Sequence, residues 1–364
     1  MRWRTWRLSG GAGADAPRVF HRLAGLGRCD GVRRQVASIA TARGARGGEA
    51  FTLVELLVVV AIIALLVTIL MPSLGRALAL ARRSVCLSHL RGAGNGMSLY
   101  AADFESWLPG PNTSGHELTV NYGNYDGQDV TAPTEPVQNM DWISPSMADA
   151  LGLPAKRVDR LVAILNTALR CPANKEMYAR EYTGGGAGSV DVEPGKIRYS
   201  SYSAALGFHV YREGHVGDRR DIQDTPVKTR VQVPDDYRPS LEEVGTAADK
   251  VFAMDGARYV NSPTTVTFNA FIRQIRGGNF MLYGPATPLT GDPFRLNNDR
   301  TLRPENLRFA YRHNGNINVV FFDGHCKTLG PVESLSTSLY FPKGSVVINA
   351  SLTQDPNDTN GPLE

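Results

Sequence analysis

Residues 51–70, Phe-Thr-Leu-Val-Glu-Leu-Leu-Val-Val-Val-Ala-Ile-Ile-Ala-Leu-Leu-Val-Thr-Ile-Leu, form an apolar run broken only by Thr52, Glu55 and Thr68. Twenty helical residues at 1.5 Å rise reach about 30 Å, the hydrocarbon thickness of a bilayer. The run therefore reads as one transmembrane helix, longer than the apolar region of a secretory signal and without a small-residue cleavage site after it. Ten Arg and no Lys precede it, while Arg76, Arg82, Arg83 and Arg91 follow. The excess of positive charge predicts a cytoplasmic N-terminus and a C-terminal body on the other side.

That charge also decides which partners the body can have. The 364-residue chain carries a formal +4, but residues 1–50 hold ten Arg against Asp15, Asp30 and Glu49, a balance of +7 that leaves −3 for the rest. A mildly acidic body lacks the electrostatic footprint of a nucleic-acid binder. With 42% hydrophobic and 20% charged residues the composition is that of a folded protein.

After Met71-Pro72 the pattern becomes amphipathic. Leu74, Leu78, Ala81, Val85, Leu90, Met97, Ala101 and Phe104 recur at spacings near three and four, with arginines between them. The helix is expected to continue over 72–109, loosened by Gly92, Gly94 and Gly96 and closed by Trp107-Leu-Pro-Gly110. Beyond it a globular α+β part over 110–330 is predicted, with a further helix at 149–170. Strands are predicted at 200–210, 250–254, 264–272, 317–322 and 326–329. Residues 331–364 read as a tail whose polar end frays. Two segments, Val251-Phe-Ala-Met-Asp-Gly256 and Val320-Phe-Phe-Asp-Gly324, look alike as strands running into turns.

Glu55 is the oddity in the apolar run, because a carboxylate at a membrane helix centre costs about 2.5 kcal/mol or more, and less near its end. A cut before Phe51 would set the new α-ammonium one helical turn from Glu55, or let the two charges pair between neighbouring subunits and fix their register. The segment Ala50-Phe51-Thr52-Leu53-Val54-Glu55-Leu56-Leu57 resembles the processing site of type IV prepilins and type II secretion pseudopilins. Pro72, the twenty-second residue after that cut, matches a proline common in their helices.

The resemblance implies removal of the leader 1–50 and cleavage between Ala50 and Phe51 by a membrane prepilin peptidase that also methylates Phe51. It further implies an assembly role for Glu55, and a pilin-like fold with a long helix packed on an antiparallel sheet. As partners it implies other pilin-like subunits and an inner-membrane assembly platform. Ala50 stands where the family usually has Gly, and the leader is unusually long; residues 43–50 alone would make a basic leader of ordinary length. The function expected is structural rather than catalytic, in a single-pass inner-membrane protein with its head outside the cytoplasm. The alternative is a membrane-tethered protein whose head binds a glycan or another extracellular ligand.

A second motif closes the globular part. His313, nine residues, then Asp323-Gly324 resembles the C-terminal signature of a large group of pilin-like proteins, abundant in planctomycetes. Read from the residues, Asn314-Gly315-Asn316 is a turn, 317–322 a buried strand and Asp323-Gly324 a hairpin turn. The competing reading has His313, Asp323 and His325 converging on a divalent cation. The hairpin is preferred because an Asp-Gly turn needs no metal. No cofactor is expected, with calcium the one cation for which the family resemblance leaves room.

Cys29, Cys86, Cys171 and Cys326 are scattered and form no Cys-x-x-Cys, so spacing offers no thiolate metal site. Once the leader is removed three remain, enough for one disulfide and one free thiol. Cys86 and Cys171-Pro172 also resemble the pilin-like group, which implies a Cys86–Cys171 disulfide. Gly184-Gly-Gly-Ala-Gly188 lacks the Gly-Lys-Ser/Thr of a phosphate loop and reads as a surface loop.

Overall fold

The computed structural model describes residues 51–110, 113–115, 132–137, 141–175, Met177, Arg198, 200–210, 230–256, 260–262, 265–266, 280–281 and 310–363. The leader, the glycine loop at 184–188 and most of the strand expected at 264–272 lie outside the described residues. Contacts divide the chain into two units, Met1–Ala61 and Ile62–Glu364, with the boundary inside the first helix, α1 (Leu53–Asp103).

In the first unit the apolar side chains from Phe51 to Val60 are exposed, and α1 is long and apolar enough to cross a membrane. Its start has a polar closure. The Thr52 backbone N–H and Oγ1 donate to Glu55 Oε2 at 2.9 and 2.8 Å, and Glu55 N–H returns a bond to Thr52 Oγ1 at 3.2 Å. This reciprocal pair is a capping box, which satisfies amide donors that a helix start leaves without partners.

In the second unit α1 runs through Pro72 without ending. Leu74, Leu78 and Val85, expected on the packed face, are exposed; burial begins at Cys86 and continues through Leu90, Ala93, Gly94, Gly96, Met97, Tyr100 and Ala101. Gly94 and Gly96, expected to loosen this stretch, are instead its points of closest packing. A Cβ on Gly94 would sit 2.9 Å from Val320 Cγ2, and one on Gly96 would sit 2.6 Å from the Ser146 carbonyl oxygen. They bring the helix backbone close to its neighbours, a use for which glycine alone is small enough.

The helix expected over 149–170 is three pieces: α2 (Ile143–Leu151), α3 (Arg157–Ala163) and a π-helical turn, Ile164–Ala168. Gly152, at φ +58°, ends α2, with Pro154 two residues later, a common helix stop. Asp141 starts α2 by accepting the amide protons of Ile143 and Ser144 at 2.9 and 3.2 Å.

The main sheet combines β1 (Tyr202–Ala205), β3 (Val251–Asp255), β6 (Phe280–Met281), β7 (Ile317–Phe321) and β8 (Cys326–Leu329) in the order β6-β1-β3-β7-β8. All its pairings are antiparallel except β1 with β6. Every residue of β1, β3 and β7 is buried. Because successive side chains point to opposite faces, both faces of this sheet centre are covered. Phe208, Phe322, Phe252 and Trp142 form a chain of ring contacts with centroids 4.9, 5.5 and 5.1 Å apart.

The tail is packed, not frayed. β9 (Val346–Val347) pairs with β2 (Val231–Gln232) and with β10 (Gly361–Pro362), and Thr353 and Gln354 are buried. Lys250 Nζ donates to the Ser338 carbonyl at 2.7 Å, tying the tail to the start of β3. A separate pair, β4 (Val260–Ser262) with β5 (Thr265–Val266), is antiparallel.

Candidate functional site

Three residues singled out for different reasons in the sequence, Cys86, Cys171 and His313, meet in the interior with a fourth, Asp255. One ligand atom from each lies within 4.8 Å of all the others, and all four residues are buried. Cys86 comes from the first buried turn of α1, Cys171 from the segment after the π-helical turn, Asp255 from the end of β3, and His313 from the turn before β7.

Local chemistry fixes each of them. Asn314 and Gly315 have φ of +56° and +79°, the signs that a two-residue primed hairpin turn requires. His313 and Asn316 flank the turn and exchange backbone hydrogen bonds at 3.4 and 3.2 Å, which sets the imidazole at its place. Cys171 N–H donates to Ser201 Oγ at 3.0 Å, and Asn174 Nδ2 donates to the same oxygen at 2.9 Å. Asp255 is held by the Asn318 N–H, 2.8 Å from its Oδ2, and by Arg312 Nη2, 3.4 Å from its Oδ1. Arg312 also donates to the Ser201 carbonyl at 2.6 Å, linking the carboxylate's support to that of Cys171.

Within the group, His313 Nε2 is 3.5 Å from Cys171 Sγ and 3.4 Å from Asp255 Oδ2. Cys86 and Cys171, expected to be bridged, are brought side by side and stand as free thiols. The Cys86 thiol is pushed up by its hydrogen bond to Cys171 and by burial, whereas Cys171 is drawn down by accepting that bond, with Arg312 and His313 helping against burial. Burial raises Asp255 to about 6 despite the nearby Arg312 and His313. Tyr202, opposite Asp255 in the sheet register, is raised by burial; its hydroxyl lies 3.1 Å from His89 Nδ1.

The other residues of the His-x9-Asp-Gly motif stand apart from this group. Asp323 and Gly324 lie at the far end of β7, where Gly324, at φ +86°, closes the hairpin and its N–H donates to the Phe321 carbonyl at 2.9 Å. Asp323 is exposed and receives the His325 N–H at 3.0 Å, with His325 Nδ1 at 2.6 Å. These bonds outweigh the effect of burial and hold the Asp323 carboxyl below its ordinary value. A five-residue strand separates His313 from both, so the trio His313, Asp323 and His325 does not converge on one cation. The look-alike segments at Asp255 and Asp323 diverge similarly, one carboxylate being buried in the group and the other exposed in a turn.

At the other end of the chain, Ala50 lies outside the described residues, and Phe51 and Glu55 are exposed. Among the described residues Glu55 is hydrogen-bonded to Thr52, and Thr-x-x-Glu is a capping signature. Asp255 is the functional candidate that the sequence did not single out. It follows four residues of ordinary buried strand, and its nearness to Cys86, Cys171 and His313 arises only from the sheet order. No family model, no curated protein and no solved structure matches the chain.

Proposed function

We propose that the chain is a structural pilin-like subunit, cut between Ala50 and Phe51 by a prepilin peptidase and methylated at Phe51. It would be anchored by α1 and incorporated into a type II secretion or type IV pilus-related assembly. The observation that carries this reading is the apolar helix start, whose large side chains from Phe51 to Met71 are exposed in the single chain and which holds one carboxylate, Glu55. So long an exposed apolar surface is costly in water, and lipid or neighbouring helices of the same kind are the surroundings that would cover it.

Mass analysis of the mature N-terminus, from cells with and without an active prepilin peptidase, tests it. An N-methylated Phe51 terminus that depends on the peptidase is expected. A mature terminus elsewhere, or the same product without the peptidase, refutes the reading.

A further inference from the structure

We propose that Cys86, Cys171, Asp255 and His313 form a structural zinc site that fastens α1 to the head. The donors are two thiols, an imidazole and a carboxylate, a set that suits zinc, and the four of them complete its usual coordination number. Zinc–sulfur bonds of about 2.3 Å and zinc–nitrogen or zinc–oxygen bonds of about 2.0–2.1 Å give tetrahedral edges of roughly 3.5 Å for S···N and 3.4 Å for N···O. His313 Nε2 lies 3.5 Å from Cys171 Sγ and 3.4 Å from Asp255 Oδ2. The second of these is long for a direct hydrogen bond to a carboxylate, yet it suits two donors that share one ion.

Charge and support agree with the geometry. A zinc ion with two thiolates and one carboxylate carries a net −1, and the buried Arg312, 3.4 Å from Asp255 Oδ1, neutralises it. Asn318 N–H on Asp255 and Ser201 Oγ beneath Cys171 N–H orient two of the donors, the role that outer hydrogen bonds play around metal ligands. On binding, the two thiol protons leave to solvent and His313 ligates through its neutral Nε2. With four protein ligands no position is left for water, so the ion is structural rather than hydrolytic. It would join segments 86, 171, 255 and 313, which no sequence spacing ties together.

The test uses the full-length protein in detergent, prepared under reductant and then titrated anaerobically with cobalt(II) chloride. The expected result is saturation at about one equivalent, with the intense ligand-field bands of four-coordinate cobalt and a thiolate charge-transfer band, all displaced by zinc. Cys86→Ser, Cys171→Ser and His313→Ala lose the charge-transfer intensity, and Cys326→Ser retains it. Because a misfolded variant would also lose the bands, the unaltered chain decides. Failure to develop them while its thiols titrate as free overturns the site. So does a Cys86–Cys171 disulfide in protein recovered from membranes with thiols blocked at lysis.

Discussion

Alanine substitutions at Gly92 and Gly96 should change stability in opposite directions, although both lie on the same helix four residues apart. Replacing glycine by alanine in a helix interior gains about 1 kcal/mol from backbone entropy. At Gly92 nothing opposes that gain, since the new Cβ would meet only the flexible Met147 Cε at 3.7 Å, an ordinary contact. At Gly96 the Cβ would lie 2.6 Å from the Ser146 carbonyl oxygen and 2.9 Å from Met147 Cγ. The first of these is backbone of α2, which can make room only if the helix moves. Overpacking of this kind costs about 1–3 kcal/mol; near its upper end, less the propensity gain, the net loss is about 2 kcal/mol. The two variants should thus differ by about 3 kcal/mol, or roughly 6 °C in Tm at about 2 °C per kcal/mol for a unit of this size. Thermal unfolding of the full chain in detergent reads this directly. Equal stabilisation by both substitutions would refute the packing argument and restore the view that these glycines merely loosen the helix.

Other outcomes follow from single sites. His209 is buried against the Pro109 carbonyl and its pKa is lowered by burial to about 3, so its neutral form stabilises the fold above the unfolded value near 6.5 and that contribution is lost as pH falls. Between pH 7 and 5 the loss should be about 2 kcal/mol at about 1.4 kcal/mol per unit, and denaturant melts of His209→Gln should lack that part of the slope; an unchanged slope counts against it. Gly324→Val should lower stability by about 2 kcal/mol and Gly324→Asn by clearly less, because at φ +86° with nothing within 4 Å the cost is conformational alone. Similar Tm values for the two variants would contradict that. Glu55→Gln preserves a capping side chain but removes the charge, so membrane fractionation should show normal insertion while cross-linking between subunits falls. Undiminished cross-linking would remove the assembly role.

Much of the fold was legible because local patterns specify it. The apolar run with its single carboxylate dictated an exposed helix start, since no other element satisfies its own backbone over so long an apolar stretch. The run 317–322 followed by Asp323-Gly324 dictated β7 and its hairpin, and Asn314-Gly315 the tight turn before it, because positive φ at those residues has few other uses. Cys86, Cys171 and His313 were each noticeable, but as separate features.

Tertiary structure alone decided the rest. Which face of α1 is packed depended on where the sheet lies, so burial began at Cys86 rather than Leu74, and Gly94 and Gly96 became contact points rather than weak points. The tail was anchored by strand pairing with β2, more than a hundred residues earlier, which no local pattern announces. Asp255 acquired its neighbours only when β3 was placed between β1 and β7, within reach of Cys86 and Cys171 and beside the turn that carries His313. Hydrophobic periodicity determines elements one at a time; a site assembled from positions 86, 171, 255 and 313 exists only once those elements pack, because its energetics lie in distances between segments that are remote along the chain.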